Sequence, residues 1–157
     1  SATKIINLLL CETRGNQLLM DDANAPSLLS LPYLCDMPLT DSIYQNTRRM
    51  ILSDSNPYYF VGKGIKLSDG TTIVPRGIGS PHTGYDMIWP MSIIMRGLTT
   101  ENKEEMEECI QMLRATTGGK GFMHESFHKD NPNNFTRSWF SWANGLFAEL
   151  VMKCYGR

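Results

Sequence analysis

Segment 135–155 constrains this chain more than any other. Read as a helix, it carries Trp139, Trp142, Leu146 and Leu150 on one side and Phe140, Phe147, Val151 and Cys154 on the other. A helix that is apolar nearly all round has no face to give to water, so it must be enclosed by other helices. The expected fold is therefore mainly α, with this segment inside it.

Upstream segments supply candidates for the enclosure. The strongest periodicities are Met91, Ile94, Met95 and Leu98 in a helix over 85–98, and Met106, Cys109, Ile110 and Leu113 in one over 101–115. Pro90 marks the first turns of the former or a kink in it. Thr100 caps the latter, acidic residues fill its first turn, Arg114 stands in its last, and Gly118-Gly119 end it. A further helix capped by Thr40 sets Ile43, Thr47, Met50 and Ile51 near one face. Pro26 suits the first turn of a short helix that stops near Pro32 or a little beyond. Before it, the apolar runs 5–10 and 18–20 flank a Gly-Asn turn, the pattern of a small hairpin. Between 56 and 80 the chain has two prolines and five glycines, which predicts a long irregular excursion with short strands near 58–60 and 71–74. Excursions of that length inside compact domains often carry function.

Composition narrows the class. The chain has 157 residues, enough for one domain with a real core. Fifteen Lys and Arg against 16 Asp and Glu leave a net charge of -1, which provides no field for phosphate backbones or anionic membranes. Nucleic acid and membrane are not expected partners. No apolar run approaches the roughly 20 residues that span a bilayer, and residues 1–7 lack a signal-peptide pattern. Cys11, Cys35, Cys109 and Cys154 form no CxxC pair and read as small buried hydrophobes.

Four polar constellations could carry chemistry. His124-Glu125-Ser126-Phe127-His128 matches HExxH, which binds zinc when a helix sets both histidines on one face. Here three glycines precede the motif and Asp-Asn-Pro-Asn-Asn follows it, leaving too little chain for a helix, and Asn134 stands where a metzincin has its third histidine. A coincidental match in an extended segment is expected. Asp21-Asp22-Ala23-Asn24 puts three polar side chains in four positions, more than helix capping needs. Gly79-Ser80-Pro81-His82-Thr83-Gly84-Tyr85 leads into a helix, and Arg137 and Asn144 interrupt an aromatic stretch. Loops bearing Asp22, Asn24, His82, Glu125 and Arg137, with tryptophans nearby, describe a polar cleft with aromatic walls. Sugars suit it: hydroxyls meet the polar groups and a pyranose face packs on indole.

The strings Met20 to Leu34, Gly77 to Thr83, Met123 to Phe127 and Thr136 to Asn144 resemble glycoside hydrolase family 125, the exo-α-1,6-mannosidases. The resemblance implies an (α/α)6 barrel with its active site among the loops at one end, of which about five helices are close to half; the whole of 1–157 would be its C-terminal part. It also implies metal-independent, cofactor-free, inverting removal of terminal mannose, as in N-glycan degradation. Inversion needs two carboxyl groups roughly 6.5–9.5 Å apart with a water between base and sugar. Glu125 matches the family's general base. The general-acid Asp lies upstream in the family, and nothing in this chain corresponds to that region. The isolated chain is accordingly expected to be inactive and to expose apolar faces unless it pairs with the N-terminal half. Asp21, Asp22, Asn24, His82, Trp89, His124, Arg137 and Asn144 are the candidates for binding a mannose-containing oligosaccharide. The rival readings are a catalytically inactive mannoside-binding protein, a zinc peptidase and a purely structural helical domain.

Overall fold

A computed structural model describes residues 11–13 and 16–156, with side chains from Leu19 onward. β1 (Cys11–Thr13) and β2 (Asn16–Leu18) pair antiparallel, with Cys11 opposite Leu18. A hairpin is expected there; the apolar run 5–10 lies outside the described residues.

Pro26 does not open a helix. Instead the buried Asp21 carboxylate accepts the N–H groups of Leu28 and Leu29 at 2.9 and 3.0 Å, which holds 27–30 in turns. α1 (Leu31–Leu34) then starts with Pro32 in its first turn, where a missing N–H costs nothing, so the short helix ends a little beyond Pro32 as expected but is opened by Pro32 and not by Pro26. α2 (Ser42–Ile51) is capped by Asp41, whose Oδ1 accepts from the N–H groups of Ile43 and Tyr44, rather than by Thr40. Tyr44 is fully buried and donates its hydroxyl to the Leu29 carbonyl at 2.9 Å, fastening α2 to the loop after Asp21.

The irregular excursion contains four short strands. β3 (Tyr59–Val61) pairs with β6 (Arg76–Ile78), and β4 (Ile65–Lys66) with β5 (Thr72–Ile73), both antiparallel. Residues 85–89 are not helical: β7 (Met87–Ile88) precedes α3 (Pro90–Leu98), because the residue before a proline is pushed to extended backbone, and Trp89 has ψ 125°. α4 (Lys103–Ala115) is capped by Asn102, whose Oδ1 accepts from Glu105 N–H at 3.0 Å, two residues past the expected Thr100. Positive φ at Gly118 and Gly119 turns the chain away beyond it. β8 (Ser126–His128) and β9 (Asn131–Thr136) join β7 in an antiparallel sheet of order β7-β8-β9. The helix expected over 135–155 therefore begins only at Ser141, as α5 (Ser141–Tyr155).

The enclosed helix is α3, not α5. Every α3 residue except Arg96 is buried, against α4, α5 and β6. α5 buries Ala143, Leu150 and Cys154 on its inner side, whereas Trp142 (61 % exposed), Met152 (71 %) and Tyr155 (55 %) face out. Among the described residues nothing covers that outer face. At the inner side Gly97 brings α3 close to α5: a Cβ there would lie 2.7 Å from Leu150 Cδ1.

Polar contacts tie the far end of α3 to its neighbours. Glu105 accepts from Arg96 Nε at 2.7 Å and from Arg48 Nη2 at 3.1 Å, and Glu108 pairs with Arg96 and Arg76. Burial alone would raise the Glu105 carboxyl, but Arg48 and Arg96 outweigh it and hold the group below its ordinary value. Cys109, beside them, is fully buried and its thiol is pushed up to about 12, chiefly by desolvation. Cys154 is buried as expected, but Cys35 is exposed.

Candidate active site

Three loop segments meet around the β7-β8-β9 sheet. Gly79 is their junction: its carbonyl accepts from Ala23 N–H at 3.1 Å, its N–H donates to the Tyr58 carbonyl at 2.8 Å, and it bridges to Ile88 in β7. No side chain fits there, since a Cβ would lie 2.2 Å from the Met87 carbonyl oxygen. The first polar loop is thereby laid against the second. Asp22 Oδ2 accepts from the Ser80 hydroxyl at 3.0 Å, and its Oδ1 accepts from Asn24 N–H at 2.9 Å. His82, exposed, follows Ser80 directly across Pro81, and Ser80 Oγ also accepts its N–H.

Asp21 points the other way, into the core. Burial pushes its carboxyl up to about 6, against the Leu28 and Leu29 N–H bonds that favour the ionised form. Both of its oxygens serve the loop.

Glu125 enters from the sheet. It stands one residue before β8, and its N–H reaches the carbonyls of Thr136 and Arg137 on the neighbouring strand and linker, each at 3.3 Å. Its side chain is only 7 % exposed, and Oε1 lies 3.3 Å from Arg137 Nε. Arg137 itself is 65 % exposed and holds φ at 41°, a left-handed backbone that costs a side-chain-bearing residue roughly 1 kcal/mol or more. Strained backbone of this kind persists only where its surroundings hold it, and such residues cluster at functional sites. Extending the β7-β8 register by one places Trp89 opposite Ser126, next to Glu125.

The other candidate residues stand behind this surface. Trp89 is buried; its indole N–H donates to Thr83 Oγ1 at 2.7 Å, and its ring meets His82 and Phe140 edge-on. Asn144 uses its whole amide on backbone: Oδ1 accepts from Met123 N–H, and Nδ2 donates to the carbonyls of Met123 and Phe140. It pins α5 to the segment carrying Glu125. His124 is buried, with both ring nitrogens against backbone carbonyls, Ser138 at 2.7 Å and Thr117 at 2.9 Å. His128 lies in a strand rather than one helical turn from His124, so the HExxH geometry is not formed. Among the described residues no group of three His, Cys, Asp or Glu stands close enough to hold a metal ion. Trp139 and Trp142 are both largely exposed, which leaves their indole faces open.

Sequence reasoning named the loops but missed Ser80, Thr83 and Thr117, the partners that orient Asp22, Trp89 and His124. Ser80 and Thr83 lie in the string that drew attention to His82; Thr117 had no signal.

Residues 11–152 match the family described as metal-independent alpha-mannosidase, glycoside hydrolase family 125. The Meiotically up-regulated gene 157 protein of Schizosaccharomyces pombe is 49 % identical over 139 residues, which is 88 % of this chain and 25 % of that protein. A Streptococcus pneumoniae structure from a study of metal-independent alpha mannosidases and the processing of N-linked glycans, a non-productive substrate complex with alpha-1,6-mannobiose, superposes with a TM-score of 0.83. It shares 44 % identity and covers 94 % of this chain and 33 % of its own. This chain thus spans a quarter to a third of the lengths of these relatives. The family match over nearly all of its residues places the chain in glycoside hydrolase family 125, the metal-independent α-mannosidases.

Proposed function

We propose that this chain is the part of an inverting exo-α-1,6-mannosidase that carries the general base, Glu125, and one side of the terminal-mannose subsite. The observation that carries the reading is Glu125 itself: a buried carboxylate at a strand end, paired with a strained and mostly exposed arginine, in a chain of this family. In the reaction Glu125 takes a proton from water as the water's oxygen attacks the anomeric carbon; the glycosidic bond breaks on the opposite face and its oxygen takes a proton from an acid. Asp22, Asn24, His82 and Arg137 are assigned to sugar hydroxyls, with the exposed indole of Trp139 available to an apolar sugar face. Asp21, Trp89, His124 and Asn144 support that surface from behind.

The acid belongs to another part of the domain. Asp21 is buried with both oxygens on backbone N–H groups of its own loop, out of reach of a sugar, and Asp22 is assigned to hydroxyl binding beside Ser80 and Asn24. We assign residues 1–157 to the C-terminal part of an (α/α)6 barrel whose remaining helices cover the outer face of α5 and bring the acid. α-1,6-Mannobiose supplied to this chain alone is expected to remain intact, and the same chain within the longer family domain is expected to release mannose as the inverted β-anomer, read by proton NMR in the first minutes. Release of mannose by the 157 residues alone would place the acid inside them, and binding without turnover in the longer protein would favour the inactive mannoside-binding reading.

A further inference from the structure

His124 precedes Glu125 and its ring is 1 % exposed, yet both nitrogens lie at hydrogen-bond distance from groups that only accept: the Ser138 carbonyl at 2.7 Å and the Thr117 carbonyl at 2.9 Å. A neutral imidazole has one N–H. It would satisfy one carbonyl and press a bare lone pair against the other in a water-poor site, the arrangement that buried polar groups avoid. Only a ring protonated on both nitrogens donates to both carbonyls. Two more features favour the cation. The Thr117 carbonyl lies just past α4, at the helix end where the dipole attracts positive charge. The ring also stacks on Phe135, centroid to centroid 3.9 Å and 7° from parallel, offering an aromatic face to the charge. The charged side chains on the elements that meet at the ring are Glu125 on its own segment, Arg137 after β9, and the exposed Arg114 and Lys120 on either side of Thr117.

We propose that His124 is a positioning residue: as a doubly protonated imidazolium it clamps the end of α4 and the linker between β9 and α5 onto the segment that presents Glu125. Three stretches converge on this ring, 117 just past α4, 124 just before β8 and 138 from the linker, and the linker also carries Arg137. Loosening the clamp would let Glu125 and its arginine drift together.

The direct test is nitrogen-15 NMR of the histidine rings in the protein labelled at histidine. The chain has three histidines, and His82→Asn and His128→Asn assign the remaining signal without touching His124. In the folded protein both His124 nitrogens are expected to show a one-bond coupling to a ring N–H, one donated to each carbonyl. A coupling on only one nitrogen would overturn the proposal. A second arm rests on the mannosidase reading. In the longer, active protein His124→Gln, which donates but spans only one carbonyl, is expected to lower kcat about tenfold or more with KM within about twofold, as a displaced catalytic group does. Unchanged kcat would refute the positioning role. Absence of mannosidase activity in the unsubstituted protein would refute the functional reading and leave the NMR result standing by itself.

Discussion

Replacing Gly79 with alanine should damage the junction on which the site is assembled. The new Cβ would lie 2.2 Å from the Met87 carbonyl oxygen and 2.6 Å from Phe60 Cε2. The first is backbone and cannot swing aside. The second belongs to a buried ring already packed edge-on against Tyr58 and Tyr85. Overpacking of this kind costs about 1–3 kcal/mol. Relief requires parting 79 from 88, which stretches the Ala23–Gly79 and Gly79–Tyr58 bonds, worth about 1 kcal/mol each. The expected loss is about 3 kcal/mol, and with a urea slope of about 1.5–2 kcal/mol per molar the unfolding midpoint falls by roughly 1.5–2 M. Gly145→Ala serves as the control. Gly145 lies inside α5 with nothing within 4 Å of an added Cβ, so alanine there should raise stability by about 0.5–1 kcal/mol. A Gly79→Ala loss below about 1 kcal/mol would refute the argument that backbone contact at 79 holds the two polar loops together.

Two other substitutions test the electrostatics. Asp21 holds its proton to about pH 6 when folded, against 3.8 when exposed, so the unfolded chain releases the proton first as pH rises. Its contribution to stability is therefore full below pH 3.8 and falls by about 3 kcal/mol as pH climbs through 6; Asp21→Asn should remove that slope from urea titrations spanning roughly pH 4 to 7.5. Glu105→Gln leaves Arg48 and Arg96 without their shared carboxylate in a mostly buried setting, and should cost about 3 kcal/mol in the same assay. Because Arg48 and Arg96 hold the Glu105 carboxyl below its ordinary value, its stabilisation is present at neutral pH and fades as pH falls through that lowered range; a stability indifferent both to Glu105→Gln and to acid would contradict the ion-pair account.

Helices α3 and α4 were legible because their apolar spacing is local and their ends carry caps or proline. The exact starts of α2 and α4 were not: Thr40 and Asp41 can both cap, as can Thr100 and Asn102, and the choice depends on which oxygen reaches the N–H two or three residues on. The sheet was hidden for a different reason. Phe135 and Thr136 continue the aromatic character of α5, but pairing with Phe127 and Ser126 draws them into β9, a non-local gain that periodicity cannot register. The same holds for the outer face of α5, whose Trp142 read as core in a chain whose described residues leave it exposed. At the site, the strings named the loops that meet at Gly79 and the segments that carry the Glu125–Arg137 pair. They did not reveal that Trp89, His124 and Asn144 would turn inward, because the partners that hold them are a threonine hydroxyl and backbone carbonyls, which leave no mark in a side-chain pattern.

The central claim is that Glu125 activates the attacking water. Hydrolysis of α-1,6-mannobiose by the longer family domain, with and without Glu125→Gln, tests it most directly. A carboxamide cannot accept the water's proton, so turnover should fall by about a hundredfold or more while mannobiose still binds; turnover within a few-fold of the unsubstituted enzyme would contradict the assignment and move the base to another carboxylate.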